Sequence, residues 1–111
     1  LIGIGMNKYF MDDDGLMLDA GAYIRAIEWA ADVEAIIMGK PSADFFQQVV
    51  LSTGVSADRC LMVGDDVIAD VVGAIDAGLQ GCLVKTGKFL EGDETKLPVG
   101  ATLIESIRDL L

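Results

Sequence analysis

Two short stretches of the chain place charged side chains where chemistry could be done. The first is Leu61-Met62-Val63-Gly64-Asp65-Asp66-Val67-Ile68-Ala69-Asp70. An apolar run ends in glycine, two carboxylates follow, and a third stands four residues after Asp66, one helical turn on. Carboxylates gathered at one point repel one another unless a cation joins them. Magnesium suits such oxygen ligands, taking one or two protein carboxylates together with water and phosphate. A helix capped by Asp65 or Asp66, with Asp70 in solvent, fits the same spacing, so residue type alone leaves both readings open. The second stretch is Met38-Gly39-Lys40-Pro41-Ser42, a strand end followed by a lysine and a helix start. An ammonium group beside a helix N-terminus could bind phosphate or steady an anionic nucleophile. A solvated lysine in a turn fits there too.

The surrounding sequence must position these groups. Ala22–Ala31 reads as a helix with Tyr23, Ile27 and Ala30 on its inward stripe. Ala35–Met38 is a short apolar run predicted to be a buried strand. Ser42 is placed as the N-cap of a helix that turns Phe46, Val49 and Val50 inward and stops near Gly54. Cys60–Val63 is a second strand, and Asp66–Ala77 a helix burying Val67, Val71, Ala74 and Ile75. Gly78 should end that helix in a left-handed conformation. Gly81–Val84 is a third strand, Ser106–Leu111 begins a closing helix, and Asn7–Asp14 reads as a polar turn. Strands alternating with helices predict an α/β fold, a parallel sheet flanked by helices. In such sheets ligands bind beyond the carboxyl ends of the strands, where Lys40 and Asp65 both fall. The two should face one crevice.

Composition narrows the chemistry further. With 111 residues the chain is one domain or less. A net charge of −10 argues against nucleic acid and anionic membranes as partners, because phosphate backbones require clustered Lys and Arg. No run approaches the roughly 18–20 apolar residues of a membrane span, and no signal peptide is visible. The chain reads as soluble, with a cytoplasmic location expected. The absence of histidine excludes His-based zinc sites and Ser-His triads. Cys60 and Cys82 read as buried, reduced thiols.

The strand-Gly39-Lys40-Pro41 segment, followed by strand-Gly64-Asp65-Asp66-x-x-x-Asp70, resembles the third and fourth motifs of the haloacid dehalogenase-like (HAD) hydrolase superfamily. Asp14-Gly15-Leu16-Met17-Leu18-Asp19-Ala20-Gly21-Ala22-Tyr23 and Val84-Lys85-Thr86-Gly87-Lys88-Phe89 extend the likeness over essentially the whole chain. The resemblance implies a Mg2+-dependent phosphatase that works through an aspartyl-phosphate, with a partial Rossmann-like core preceded by the last piece of an α/β cap. Carried over by position, Lys40 would be catalytic and contact the substrate phosphate. Asp65 would be catalytic as the direct metal ligand, and Asp66 and Asp70 would support metal-bound water or neighbouring groups. Implied substrates are small phosphorylated molecules: phosphate esters, pyrophosphate or phosphoramidates.

One departure stands out. The family's nucleophile lies in a hydrophobic strand followed by Asp-x-Asp-Gly-Thr, and Asp12-Asp13-Asp14-Gly15 only imitates it. Leu16 replaces the threonine, Asn7–Met11 is only partly apolar, and too few residues separate Asp14 from Lys40 for a second-motif strand and a cap. The expectation is therefore no nucleophile in this chain. Residues 1–34 would be the C-terminal remnant of a cap and 35–111 the C-terminal half of a core whose N-terminal half is missing. The strand at Cys60–Val63 would then carry an unpaired apolar edge. A homodimer, or association with the missing half, would cover it. The alternative is a non-catalytic HAD-like interaction or dimerisation domain. A receiver-type domain also combines acidic residues, lysine and magnesium, but there the lysine should follow the acidic pair, and Lys40 precedes Asp65.

Overall fold

The computed structural model describes residues 1–111. Seven strands form in chain order: β1 Ile2–Gly3, β2 Tyr9–Asp12, β3 Gly15–Leu18, β4 Ile36–Ile37, β5 Leu61–Gly64, β6 Gln80–Val84 and β7 Thr102–Ile104. The helices are α1 Ala20–Ala31, α2 Ala43–Thr53 and α3 Gly73–Asp76, the last entered through a π-helical stretch at Val67–Val72. Short 3-10 turns lie at Ala57–Arg59, Asp93–Lys96 and Ile107–Leu110. The α/β character expected from the sequence is present, with parallel pairing in two sheets.

The larger sheet has the order β5-β6-β7, all parallel. Its middle strand is its core: Gly81, Cys82, Leu83 and Val84 are all buried. Leu83 packs with Val67 and Val71 of the π-helical stretch, and Ile75, Phe89 and Leu103 close around them. Gly81 admits this contact, because a Cβ there would lie 2.9 Å from Val71 Cγ1. β5 pairs only with β6, so its outer edge is open, and Leu61 on it is exposed. Of the two cysteines, Cys82 is fully buried as expected, whereas Cys60 is only partly covered; both are free thiols.

The first third of the chain differs from its sequence reading. Asn7–Asp14 is not simply a turn, because β2 and β3 form an antiparallel hairpin with Asp12 opposite Gly15. Asp13 and Asp14 make its tip, with the Asp13 N–H donating to Asp12 Oδ1 at 2.8 Å. Its apolar residues do not alternate with polar ones, which hides the period-2 pattern. β1 pairs in parallel with β4, across the expected boundary at residue 34.

α1 buries the opposite face from the one expected. Gly21 and Ile24 are inside, whereas Tyr23, Ile27 and Trp29 are 60%, 48% and 87% exposed. The cause is a backbone approach that only glycine permits. A Cβ on Gly21 would sit 2.6 Å from the Asn7 carbonyl oxygen, so α1 is seated on its smallest residue rather than its largest. Glu28 continues the inward seam, accepting the Ala35 N–H at 2.8 Å and tying the helix end to the approach of β4. Asp19 caps the other end through the Ala20 N–H.

α2 buries Phe46 as expected, but Val49 is exposed, and Ser42 holds the N-cap position without a side-chain cap bond. The next helix buries Val67, Val71 and Ala74, and Gly78 adopts φ +88° just beyond its end. The closing element at Ile107–Leu110 is a 3-10 turn with a Ser106–Asp109 capping box. β7, missed in the sequence because it spans only Thr102–Ile104, completes the sheet.

Candidate active site

The acidic motif occupies the position predicted for it, at the carboxyl end of β5 where the chain turns into the π-helical stretch. Gly64 ends the strand because no side chain fits: its Cβ would lie 2.1 Å from Asp70 Oδ2. Asp70, reaching back beneath that glycine, is 3% exposed. Its Oδ2 accepts the Asp66 N–H at 3.2 Å, and its Oδ1 accepts from Lys40 Nζ at 2.5 Å. The reading of Asp70 as a solvated residue therefore falls away. It is a buried carboxylate that joins the two sequence motifs.

Asp66 is in part the cap that the plainer reading allowed. Its Oδ1 accepts the N–H groups of Ile68 and Ala69, both at 2.8 Å. Its Oδ2 forms an ion pair with Lys88. Burial pushes the Asp66 carboxyl up, but the Lys88 hydrogen bond, the N–H groups of Ala69 and Ile68, and the Lys88 charge together outweigh burial. They hold it below its ordinary value.

Asp65 makes one polar contact. Its Oδ2 accepts the Lys88 N–H at 2.8 Å, and its Oδ1 has no protein partner. The loop carrying Lys88 can come this close because residue 87 is glycine. At φ +68°, a Cβ on Gly87 would meet Asp65 Oδ2 at 2.0 Å.

Asp65 and Asp66 line a cleft of about 310 Å³, together with Lys88, Asn7 and Tyr9. Asp93 and Lys96, paired to each other at 2.6 Å, stand on its rim. Lys40 lines a smaller recess of about 160 Å³ with Asp19 and Ala20. The single crevice expected for Lys40 and Asp65 is thus divided. Asn7 borders both parts, and Asp70 links them from below. Asn7 Oδ1 is buried without a hydrogen-bond partner. Lys40 comes into place through the close approach of the segment just after β1 to the Gly39 turn, where a Cβ on Gly39 would lie 1.9 Å from the Ile4 carbonyl oxygen. Its peptide bond to Pro41 is cis.

The sequence reading did not single out Lys88 or Asn7 as site residues. The signal for Lys88 was available in Gly87-Lys88, a glycine and a lysine just beyond a strand end. Asn7 carried none, since its tie to α1 is a backbone bond, the Gly21 N–H donating to the Asn7 carbonyl at 3.0 Å. Asp12, Asp13 and Asp14 lie at the exposed hairpin tip.

The chain contains no group of three or more Asp, Glu, Cys or His side chains arranged to enclose a metal ion. It offers one carboxylate oxygen, Asp65 Oδ1, beside an open cleft. That donor suits magnesium, which keeps several waters and needs only one or two carboxylates.

Comparison with known proteins agrees with this architecture. The HAD-hydrolase-like family profile matches residues 37–110, and the chain belongs to that family. Over 94 residues it is 45% identical to phospholysine phosphohistidine inorganic pyrophosphate phosphatase from Rattus norvegicus, covering 85% of this chain and 35% of the rat protein. Among solved structures, 4-nitrophenylphosphatase from Thermotoga maritima superposes with a TM-score of 0.84 at 26% identity, covering 98% of this chain and 42% of that one. Glycerol phosphate phosphatase from Mycobacterium tuberculosis, solved in complex with calcium, gives a TM-score of 0.67 at 27% identity, covering 78% and 25%. The chain spans about a third of the length of the curated relative it matches.

Proposed function

We propose that this chain supplies the cation- and phosphate-handling part of a magnesium-dependent phosphatase. The observation that carries the proposal is the free Oδ1 of Asp65, at the end of a parallel strand and on the wall of a cleft. Asp65 would hold the ion, and Asp66 and Asp70 would fix its surroundings without direct ligation. Magnesium, when bound, would neutralise charge on the transferring phosphoryl group. Lys40, steadied by Asp70, would meet the phosphoryl oxygens or the attacking carboxylate through its remaining donors. Residues 1–34 are read as the end of a cap and 35–111 as the later part of the core. The attacking aspartate is expected from residues other than these 111, since Asp12–Asp14 are exposed at the hairpin tip and do not line the cleft. Substrates in keeping with the names of the relatives are small phosphate esters, pyrophosphate or phosphoramidates.

The test is magnesium-dependent hydrolysis of p-nitrophenyl phosphate. The 111-residue chain should be inactive. A longer chain joining it to a strand-Asp-x-Asp-Gly-Thr segment should be active, and should lose at least about a hundredfold in rate on Asp65→Asn. Near-normal turnover by that variant removes Asp65 from the role. Activity in the 111-residue chain makes Asp12 or Asp14 the first candidate nucleophile.

A second reading, a non-catalytic interaction domain, is favoured by the open edge of β5. Its backbone donors and acceptors would pair with a second copy or with another HAD-like segment.

A further inference from the structure

Lys88 is the best-held lysine of the cleft, and neither of the two motifs contains it. Its side chain is 10% exposed. The ammonium group pairs with Asp66 Oδ2, donates to the Tyr9 carbonyl at 3.2 Å and lies 5.3 Å from the Tyr9 ring centroid. Its own N–H meanwhile holds Asp65 Oδ2. One residue thus holds both members of the carboxylate pair, with opposite consequences. The main-chain contact leaves Asp65, on the wall of the cleft, with one oxygen that has no protein partner. The side-chain contact covers the one oxygen of Asp66 that is not engaged in capping.

We propose that Lys88 is a built-in counter-cation that keeps Asp66 out of the ligand set and confines a divalent ion to Asp65. The inference rests on the reading of Asp65 as the cation ligand. Two adjacent carboxylates on one cleft wall would otherwise both face the ion, and divalent cations gain from each added anionic oxygen. Lys88 removes that second ligand and adds a repelling positive charge within the same cleft. It thereby sets the affinity of the site lower than its carboxylates alone would make it. Gly87 belongs to the device, since it brings the Lys88 N–H to Asp65 without a side chain in the way.

Titration calorimetry of MgCl2 into the 111-residue chain at fixed ionic strength tests this without any need for turnover. Lys88→Met, which keeps the stem and removes the charge, should bind magnesium about tenfold more tightly than wild type. Lys88→Gln, which keeps a donor for the Tyr9 carbonyl, should move the same way and serves if the methionine variant folds poorly. Adding Asp66→Asn to either variant should return the affinity to within about twofold of wild type, because the pair is again neutral. Lys88→Arg should bind as wild type does. If the neutral variants bind no more tightly while Asp65→Asn abolishes wild-type binding, the Lys88 proposal fails and the Asp65 reading stands. Binding that survives Asp65→Asn, or no binding in any variant, overturns both.

Discussion

Asp66 shows how one residue can serve two ends. One oxygen caps the helix and the other meets Lys88, and this arrangement depresses its folded-state pKa. A depressed carboxylate stabilises the fold above its unfolded pKa, and that contribution is lost as pH falls through the lower folded value. Stability should therefore drop below the ordinary aspartate value of 3.8. Asp66→Asn retains capping, and its melting temperature should fall less steeply in acid; thermal melts across that range decide it. Lys40 behaves differently. Its partner Asp70 has a side chain only 5% exposed, so Lys40→Ala leaves a buried carboxylate unpaired. The expected cost is about 3–5 kcal/mol, read as a lowered denaturation midpoint. Loss of activity in that variant then mixes chemistry with unfolding, and Lys40→Ala with Asp70→Asn is the cleaner comparison. Of the four residues singled out in the sequence, Lys40, Asp65, Asp66 and Asp70, all lie within one connected set of contacts. Spacing could reveal that much because strand ends fix where those side chains begin. It could not reveal that Asp66 is engaged by Lys88, a contact made across 22 positions by a loop whose shape depends on Gly87.

Among the elements, glycines decide which faces meet. Gly39 is crossed by the backbone just after β1, and a Cβ there would overlap the Ile4 carbonyl, which has no flexible end to yield. Gly39→Ala should destabilise the fold by about 3 kcal/mol and displace Lys40. Chemical denaturation checks the first effect and the Lys40–Asp70 contact in a variant structure checks the second. Of the parallel strands, β4, β5 and β6 were legible, as was the helix after Asp65, because their apolar runs are bounded by glycine and charge, whereas the two- and three-residue strands β1 and β7 were too short to read. α1 was legible as a helix but not in its orientation, because large residues draw the eye to Tyr23 and Ile27 while the packing seam is Gly21, Ile24 and Glu28. The π-helical turn was not legible at all. Its widened register appears only once Asp66 caps two successive N–H groups and Asp70 folds back under Gly64.

At the scale of the whole molecule, only 15 of 111 residues are buried, so much of the apolar half of the composition lies at the surface. On β1 and β4 and the residues just beyond them, Ile2, Ile4, Ile36 and Met38 are all at least 62% exposed. Together with the open edge of β5, this face favours association over a dilute monomer. Sedimentation velocity across a hundredfold concentration range should show a concentration-dependent rise in mass, even though a charge of −10 opposes it. A constant monomer mass would count against association through these surfaces. No helix is long and apolar enough to cross a membrane.

The single tryptophan gives the outer face of α1 an optical signature. Trp29 stands on the outer face of α1 at 87% exposure, away from Asp65 and its cleft. Its emission should resemble that of indole in water, and external quenchers should reach it freely. Filling the carboxylate site should leave the spectrum unchanged. Anything that covers the outer face of α1 should shift the emission to the blue and shield it from quencher. One cuvette could therefore separate an event at the site from an event at that surface.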